Sequence, residues 1–186
     1  AGRLFILNDR IHNPIILAKN RIMNYTNAMI PRYYDNLDKL VKPGKALIIY
    51  GPRQVGKTTL LKNYLAKTTL KYRSDSGDNL AVQDVLGSQD FEAIFRYVGD
   101  NELIVIDEAQ EIPGIGMGLK IITDQRPNVR IIATGSSSFD LARNVGEPLV
   151  GRKTTIHLYP IAQLELLKQV GNQFDFVQKL TDYLIF

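Results

Sequence analysis

The sequence predicts an α/β fold in which a parallel sheet lies between helices in three layers, and three observations lead there. Short apolar runs alternate with stretches of helical apolar spacing along most of the chain. One such run, Ala46 to Tyr50, opens into a glycine-bounded loop followed by Leu60, Leu61, Tyr64 and Leu65 at helical spacing. Another, within residues 101–108, ends in the carboxylates Asp107 and Glu108. Parallel sheets gather their ligands at the C-terminal ends of strands, where both the loop and the carboxylate pair fall.

Taken in order, residues 1–13 have no clear period and include a polar Asn8-Asp9-Arg10 turn. Residues 14–30 carry Ile15, Ile16, Ile22, Met23 and Met29 in a loose helical pattern. Pro31 opens a second helix with Tyr33, Leu37, Leu40 and Val41 on one face, and the segment from Lys42 to Lys45 ends it. After the loop helix, Thr69 to Arg73 alternates like a strand, and residues 74–78 close it as a polar turn. Phe91, Ile94, Phe95 and Val98 mark a helix leading into the Asp107 strand. Past Pro113-Gly114, Ile115, Leu119 and Ile122 predict another helix. Strands follow over Val129 to Ala133 and over Thr155 to Tyr159. Phe174, Val177, Leu180 and Tyr183 make a last helical face, and no internal repeat or low-complexity tract appears. The expected organisation is a basic helical extension over 1–45, a core over 46–160, and the start of a helical subdomain over 161–186. The apolar stop at Leu184-Ile185-Phe186 reads as a truncation.

The bulk numbers are those of one ordinary globular domain. There are 186 residues, 45% hydrophobic and 23% charged, with no cysteine. Disulfides and thiolate metal sites are therefore excluded. No apolar run reaches the length of a membrane span, and the basic start lacks the apolar core of a secretory signal. A cytoplasmic protein with no membrane partner is the expectation. Residues 1–45 hold eight Lys/Arg against three Asp, so the net charge of +4 is concentrated there. Such an arm, with Tyr25, Tyr33 and Tyr34 among the charges, is either a solvated face or a contact for DNA.

The chemistry is concentrated in Gly51, Pro52, Arg53, Gln54, Val55, Gly56, Lys57, Thr58 and Thr59. Between a strand and a helix, this series is a phosphate-binding loop. Gly51 and Gly56 let the backbone curl so that its N–H groups point at phosphate oxygens, and the positive end of the helix adds to that field. Lys57 reaches the β- and γ-phosphates, and the Thr58 hydroxyl is a ligand for Mg²⁺. Asp107, at the tip of its strand, is placed to hold the same Mg²⁺ through water, and Glu108 to polarise the attacking water. An Asp-Glu pair is commonly just a solvated turn, but here an apolar strand aims it. The expected ligands are thus a nucleoside triphosphate and Mg²⁺.

Further candidates lie at other strand ends. Thr134 or Ser136 could sense the γ-phosphate or its water, while Ser137 or Ser138 suits a helix cap before Phe139. Arg152 either supplies positive charge to the transferring phosphoryl group, in its own subunit or a neighbour's, or makes a surface ion pair. His12 and His157, the two histidines, are far apart, and His157 reads as an ordinary strand residue.

Together these residues resemble the AAA-type ATPases of the AAA_14 family, from Ile30-Pro31-Arg32 to the end of the chain. The specific parts are residues 51–59, Ile106-Asp107-Glu108-Ala109-Gln110, Ala133 to Ser137, and Gly151-Arg152. Leu158-Tyr159-Pro160 and Glu165 are also similar, although Ala162-Gln163 stands where Ser-Phe is expected. The resemblance implies the additional-strand P-loop NTPase core, with sheet order 5-1-4-3-2 and the Thr134 strand between the loop strand and the Asp107 strand. It puts Thr134 between the two halves of the site, supports Glu108 as the water-positioning base, and leaves Gln110 without a role. With Lys57 and Arg152, read from the residues above, Thr134 and Glu108 make up the catalytic candidates. Typical members continue into a nuclease-like domain (DUF4143), which this sequence does not contain, so no nuclease function is carried over.

Three functions fit: an ATPase whose hydrolysis drives a conformational change, a slow nucleotide-gated switch, and a DNA-associated motor or loader. Self-association fits any of them. The guanine-reading Asn-Lys-x-Asp tetrapeptide does not occur, which makes ATP the expected nucleotide. A small-molecule kinase would exclude the water that Glu108 is placed to activate.

Overall fold

A computed structural model describes Tyr34, residues 36–136 and residues 149–160. The predicted helix over 14–30, the start of the basic arm, the Ser137 and Ser138 caps and the face over 161–186 lie outside the described residues. Where a helix was expected after Pro31, the described part is a single 3₁₀ turn, Leu37–Lys39, with Leu37 buried. Among the described residues, no helix is long and apolar enough to cross a membrane.

The sheet contains β1 (Ala46–Tyr50), β2 (Tyr72–Ser76), β3 (Leu103–Asp107), β4 (Arg130–Gly135) and β5 (Lys153–His157). All four pairings are parallel, in the order β2-β3-β4-β1-β5. This is the predicted 5-1-4-3-2 order, read from the other edge. The helices are α1 (Lys57–Leu65), α2 (Leu80–Gly87), α3 (Phe91–Val98) and α4 (Ile115–Gln125).

Alternation along β1 divides the core into two layers. Ala46, Ile48 and Tyr50 join Val82, Leu86, Ile94, Leu119 and Ile122 from α2, α3 and α4. Leu47 and Ile49 join Leu60, Leu61 and Tyr64 from α1 on the other face. Ile48 and Ile49 are both fully enclosed, and each contributes roughly 1.5–3 kcal/mol of burial. Strands buried on both faces read as continuous apolar runs, which is why β1 and β3 are plain in the sequence.

Two elements differ from expectation. β2 begins at Tyr72 and runs through Ser76, so residues 74–76, predicted as a turn, are strand. As an edge strand it is largely exposed, and its residues carry no apolar signal. Polar contacts hold it to α3. The Arg73 guanidinium lies 3.9 Å from the centre of the Tyr97 ring. Arg73 Nε donates to Asp75 Oδ2 at 2.7 Å, and the Tyr97 hydroxyl donates to the same oxygen at 2.8 Å. Burial, and then the bond to Asp75, push the Tyr97 phenol well above its ordinary range. Helix α2 was not predicted, although Asn79 caps it by accepting from the Ala81 N–H at 3.0 Å.

The remaining boundaries move by small steps. β4 extends through Thr134 and Gly135, which pair with Ile49 and Tyr50. β5 ends at His157, short of the predicted Tyr159, and starts at Lys153. The helix predicted from Phe91 is α3, capped by Asp90 Oδ1, which accepts from the N–H groups of Glu92 and Ala93.

Candidate active site

The loop between β1 and α1 is pinned at its start by the Gly51 N–H, which donates to the Gly135 carbonyl at 3.2 Å. Burial raises the phenol pKa of Tyr50, the residue just before the loop. The loop ends at Gly56, whose φ of 93° is open to glycine and costly for a side chain. No side-chain oxygen caps α1. A cleft of about 460 Å³ opens over this point, lined by Arg53, Gln54 and the first turn of α1, with Asp78, Glu108 and Glu111 opposite.

Lys57 is only 4% exposed. Its Nζ donates to the Gly51 carbonyl at 2.8 Å and to the Pro52 carbonyl at 3.0 Å. Two loop carbonyls thus hold the ammonium at the base of the cleft. Val55 is buried beneath the loop, while Pro52, Arg53 and Gln54 are exposed above it. Thr59 lines the cleft beside Thr58.

Residues far apart in sequence meet on Asp107. Thr58 Oγ1 donates to Asp107 Oδ2 at 2.8 Å. The Thr134 hydroxyl donates to Asp107 Oδ1 and accepts from the Glu108 N–H at 3.1 Å. The Glu108 N–H also reaches Asp107 Oδ1 at 3.2 Å. One carboxylate oxygen is therefore fixed inward and the other is turned toward α1. Sheet order explains the meeting: Ala133 pairs with Ile106 across β3 and β4, so the next residues, Thr134 and Asp107, adjoin. Thr134 is completely buried. Losing its hydroxyl removes a bond to a charged group worth about 1.5–3 kcal/mol. Thr134→Val is expected to lower turnover roughly ten- to a hundredfold, with ATP affinity little changed. Steady-state kinetics checks the first and nucleotide titration the second.

Glu108 adopts a left-handed conformation with φ 49°. Such strain in a non-glycine residue persists only where the surroundings fix it. Here the N–H is held as described, and the carbonyl lies against Gly77, where an added Cβ would run into the Glu108 oxygen. The Gly77 N–H in turn donates to the Asp107 carbonyl at 2.7 Å. Gly77→Ala is expected to destabilise the fold by about 1–3 kcal/mol, because backbone must shift to admit the methyl. Urea unfolding of both proteins measures the change.

Arg152 is not part of this assembly. It precedes β5, and its carbonyl accepts from the Ala46 N–H at the start of β1, the rim opposite the loop. Its guanidinium pairs with Asp124 on α4. A half-exposed pair of this kind contributes about 0–1 kcal/mol. Within its own chain Arg152 does not meet the cleft. Ser136 follows β4, and its N–H donates to Gln110 Oε1 at 3.3 Å. His157 lies at the tip of β5, its ring 5.4 Å from that of Tyr50.

Asp78 and Glu111 line the cleft but were not anticipated. Asp78 follows the true end of β2, so the rule that placed Glu108 would have found it had the strand been traced to Ser76. Glu111 and Gln110 sit on the 3₁₀ turn Ala109–Glu111, which gives no periodic signal.

Residues 43–167 match the family model AAA_14, described as AAA domain. No curated protein matches the chain. Among solved structures, the chain is similar to the replication initiator DnaA bound to AMPPCP and single-stranded DNA. The TM-score there is 0.53, with 19% identity, over 84% of this chain and 57% of that one. A second likeness is to AMPPCP-bound DnaA from Aquifex aeolicus, with TM-score 0.47 and 18% identity, over 97% of this chain and 54% of that one. The chain spans little more than half the length of these proteins, and at 19% identity the first likeness is one of fold.

Proposed function

The chain belongs to the AAA domain family AAA_14, and from that premise we propose that it binds ATP with Mg²⁺ and hydrolyses it to drive a conformational change. The observation that carries the proposal is the 2.8 Å bond between Thr58 and Asp107, which joins the phosphate loop to a carboxylate strand that is not its neighbour in the sheet. A buried lysine at the base of the same cleft, and Glu108 on its wall, complete the set.

Each residue then has a definite task. The N–H groups of the loop and of the first turn of α1 receive the phosphates, and the helix dipole favours their charge. The Lys57 ammonium has three donors, of which two hold loop carbonyls. The third is offered to a phosphate oxygen, where its charge offsets that of the leaving β-phosphate. Arg53 adds positive charge at the rim. Thr58 Oγ1 and, through water, Asp107 Oδ2 would hold Mg²⁺, since oxygen is the donor type that suits this ion. When bound, the ion neutralises charge developing on the phosphoryl oxygens. Thr134 holds Asp107 Oδ1 and so keeps Oδ2 turned toward Thr58. Glu108 orients the attacking water and accepts its proton.

The test is Mg²⁺-ATP hydrolysis against protein concentration, with and without duplex DNA, using Lys57→Ala as the blank. Turnover that the blank lacks supports the proposal. A specific rate, per molecule of protein, that rises with concentration supports a shared site between subunits and makes Arg152 the next residue to mutate. A rate rising with DNA supports a DNA partner, a class of ligand that the similar DnaA complex holds as a single strand. Tight ATP binding with turnover on the order of 10⁻⁴ s⁻¹, the pace of an unassisted GTPase switch, would replace the proposal with the nucleotide-gated switch.

A further inference from the structure

We infer that Gln110 is a positioning residue for hydrolysis, holding the Glu108 carboxylate through its amide while anchored to the end of β4. The inference rests on the reading of Glu108 as the water-orienting base. Gln110 Nε2 donates to Glu108 Oε2 at 2.6 Å and to Glu111 Oε1 at 3.2 Å. On its other side, Gln110 Oε1 accepts the Ser136 N–H at 3.3 Å. This amide orientation is the only one that satisfies its partners. Turned over, it would set its oxygen against two carboxylates and its nitrogen against an N–H group.

The geometry defines what the amide does. Glu108 is the last fixed point before a 3₁₀ turn, and its backbone is held by Thr134, Asp107 and Gly77. Those contacts set where the side chain starts, and leave its outer torsions free. The bond from Gln110 fixes the outer end by occupying Oε2, which leaves Oε1 to accept from water. A carboxylate with one oxygen held presents the other in one direction, and orientation of this kind carries rate. The anchor matters equally. Gln110 is itself located by the peptide that follows β4, whose Thr134 locates Asp107. The metal-binding carboxylate and the water-orienting carboxylate are thus both referred to one strand end.

Gln110→Met keeps the length of the side chain and loses both bonds. Gln110→Glu keeps an acceptor for the Ser136 N–H and, at neutral pH, loses the donor to Glu108. Both variants are expected to lower kcat roughly ten- to a hundredfold, with KM for ATP held within about threefold, since uniform binding is not touched. In single-turnover assays with excess enzyme, neither is expected to reduce the residual rate of Glu108→Gln further, because Gln110 acts through Glu108. Wild-type kcat in either variant overturns the inference. So does a rise in KM without loss of kcat, or a loss that adds to that of Glu108→Gln. If Glu108→Gln itself retains wild-type turnover, the reading of Glu108 is what fails, and this inference fails with it. An inactive Glu108→Gln beside an unchanged Gln110→Met overturns this inference alone.

Discussion

Glu108→Gln is expected to lower ATP turnover by roughly 10²–10⁴, the usual contribution of a positioned general base, while ATP still binds. The two effects separate because of where Glu108 sits. Its backbone is fixed by the Thr134 hydroxyl and by Asp107, and glutamine has the same shape, so the strained turn at φ 49° is kept. The amide cannot accept a proton from water. The Glu108 carboxylate bonds to Gln110, whereas Lys57 and Thr58 bond to the loop carbonyls and to Asp107. Nucleotide should therefore accumulate on the protein unhydrolysed, and rapid filtration with labelled ATP would detect it. Turnover undiminished in this variant would remove Glu108 from the mechanism. Equal loss of ATP affinity would mean that its charge organises the cleft rather than the water.

Lys57→Ala should lose both binding and turnover, with the rate falling by a factor on the order of 10²–10³ or more. Lys57 is buried, and its ammonium is held by the Gly51 and Pro52 carbonyls. Its removal strips the cleft of its most enclosed cation and deprives two loop carbonyls of a donor. The loop then loses its preset shape as well as a charge. Isothermal titration with Mg²⁺-ATP measures the affinity, and the coupled hydrolysis assay gives the rate. Binding retained within a few-fold would show that the backbone N–H groups and α1 suffice to hold the phosphates.

How far the sequence reveals all this depends on what each residue's signal consists of. The β1 strand, the phosphate loop and the β3 tip are legible because buried strands are apolar throughout and the loop chemistry is contiguous. Sheet order comes from family resemblance, since periodicity alone does not order strands. β2 is misplaced by its sequence because its attachments are polar and on one edge, with Arg73 and Asp75 held by Tyr97. That displacement hides Asp78, which follows it. Helix α2 has a legible cap in Asn79 and buries only Val82 and Leu86, too few apolar positions to set a helical period. The opposite placement of Arg152 is legible: it precedes the strand predicted over Thr155 to Tyr159, and in a parallel sheet the residue before a strand lies at the rim away from the strands' C-terminal ends. The Gln110 bridge is not, because its three partners come from two strand ends and depend on a single left-handed residue.

The all-parallel sheet separates two kinds of inheritance. Gly51, Asp78, Glu108 and Ser136 each follow a strand directly or within two positions, whereas the strand interiors hold Ile48, Ile49, Ile104, Ile106, Ile131 and Ile132, all enclosed. Interiors of this kind accept exchange among Ile, Val and Leu so long as volume is kept. Gly51, where a Cβ would meet the Leu158 carbonyl, and Glu108, whose carboxylate Gln110 holds, demand particular atoms. Descendants of such a chain are expected to vary in its interior while keeping Gly51 and Glu108 after their strands, a pattern that comparing relatives would check.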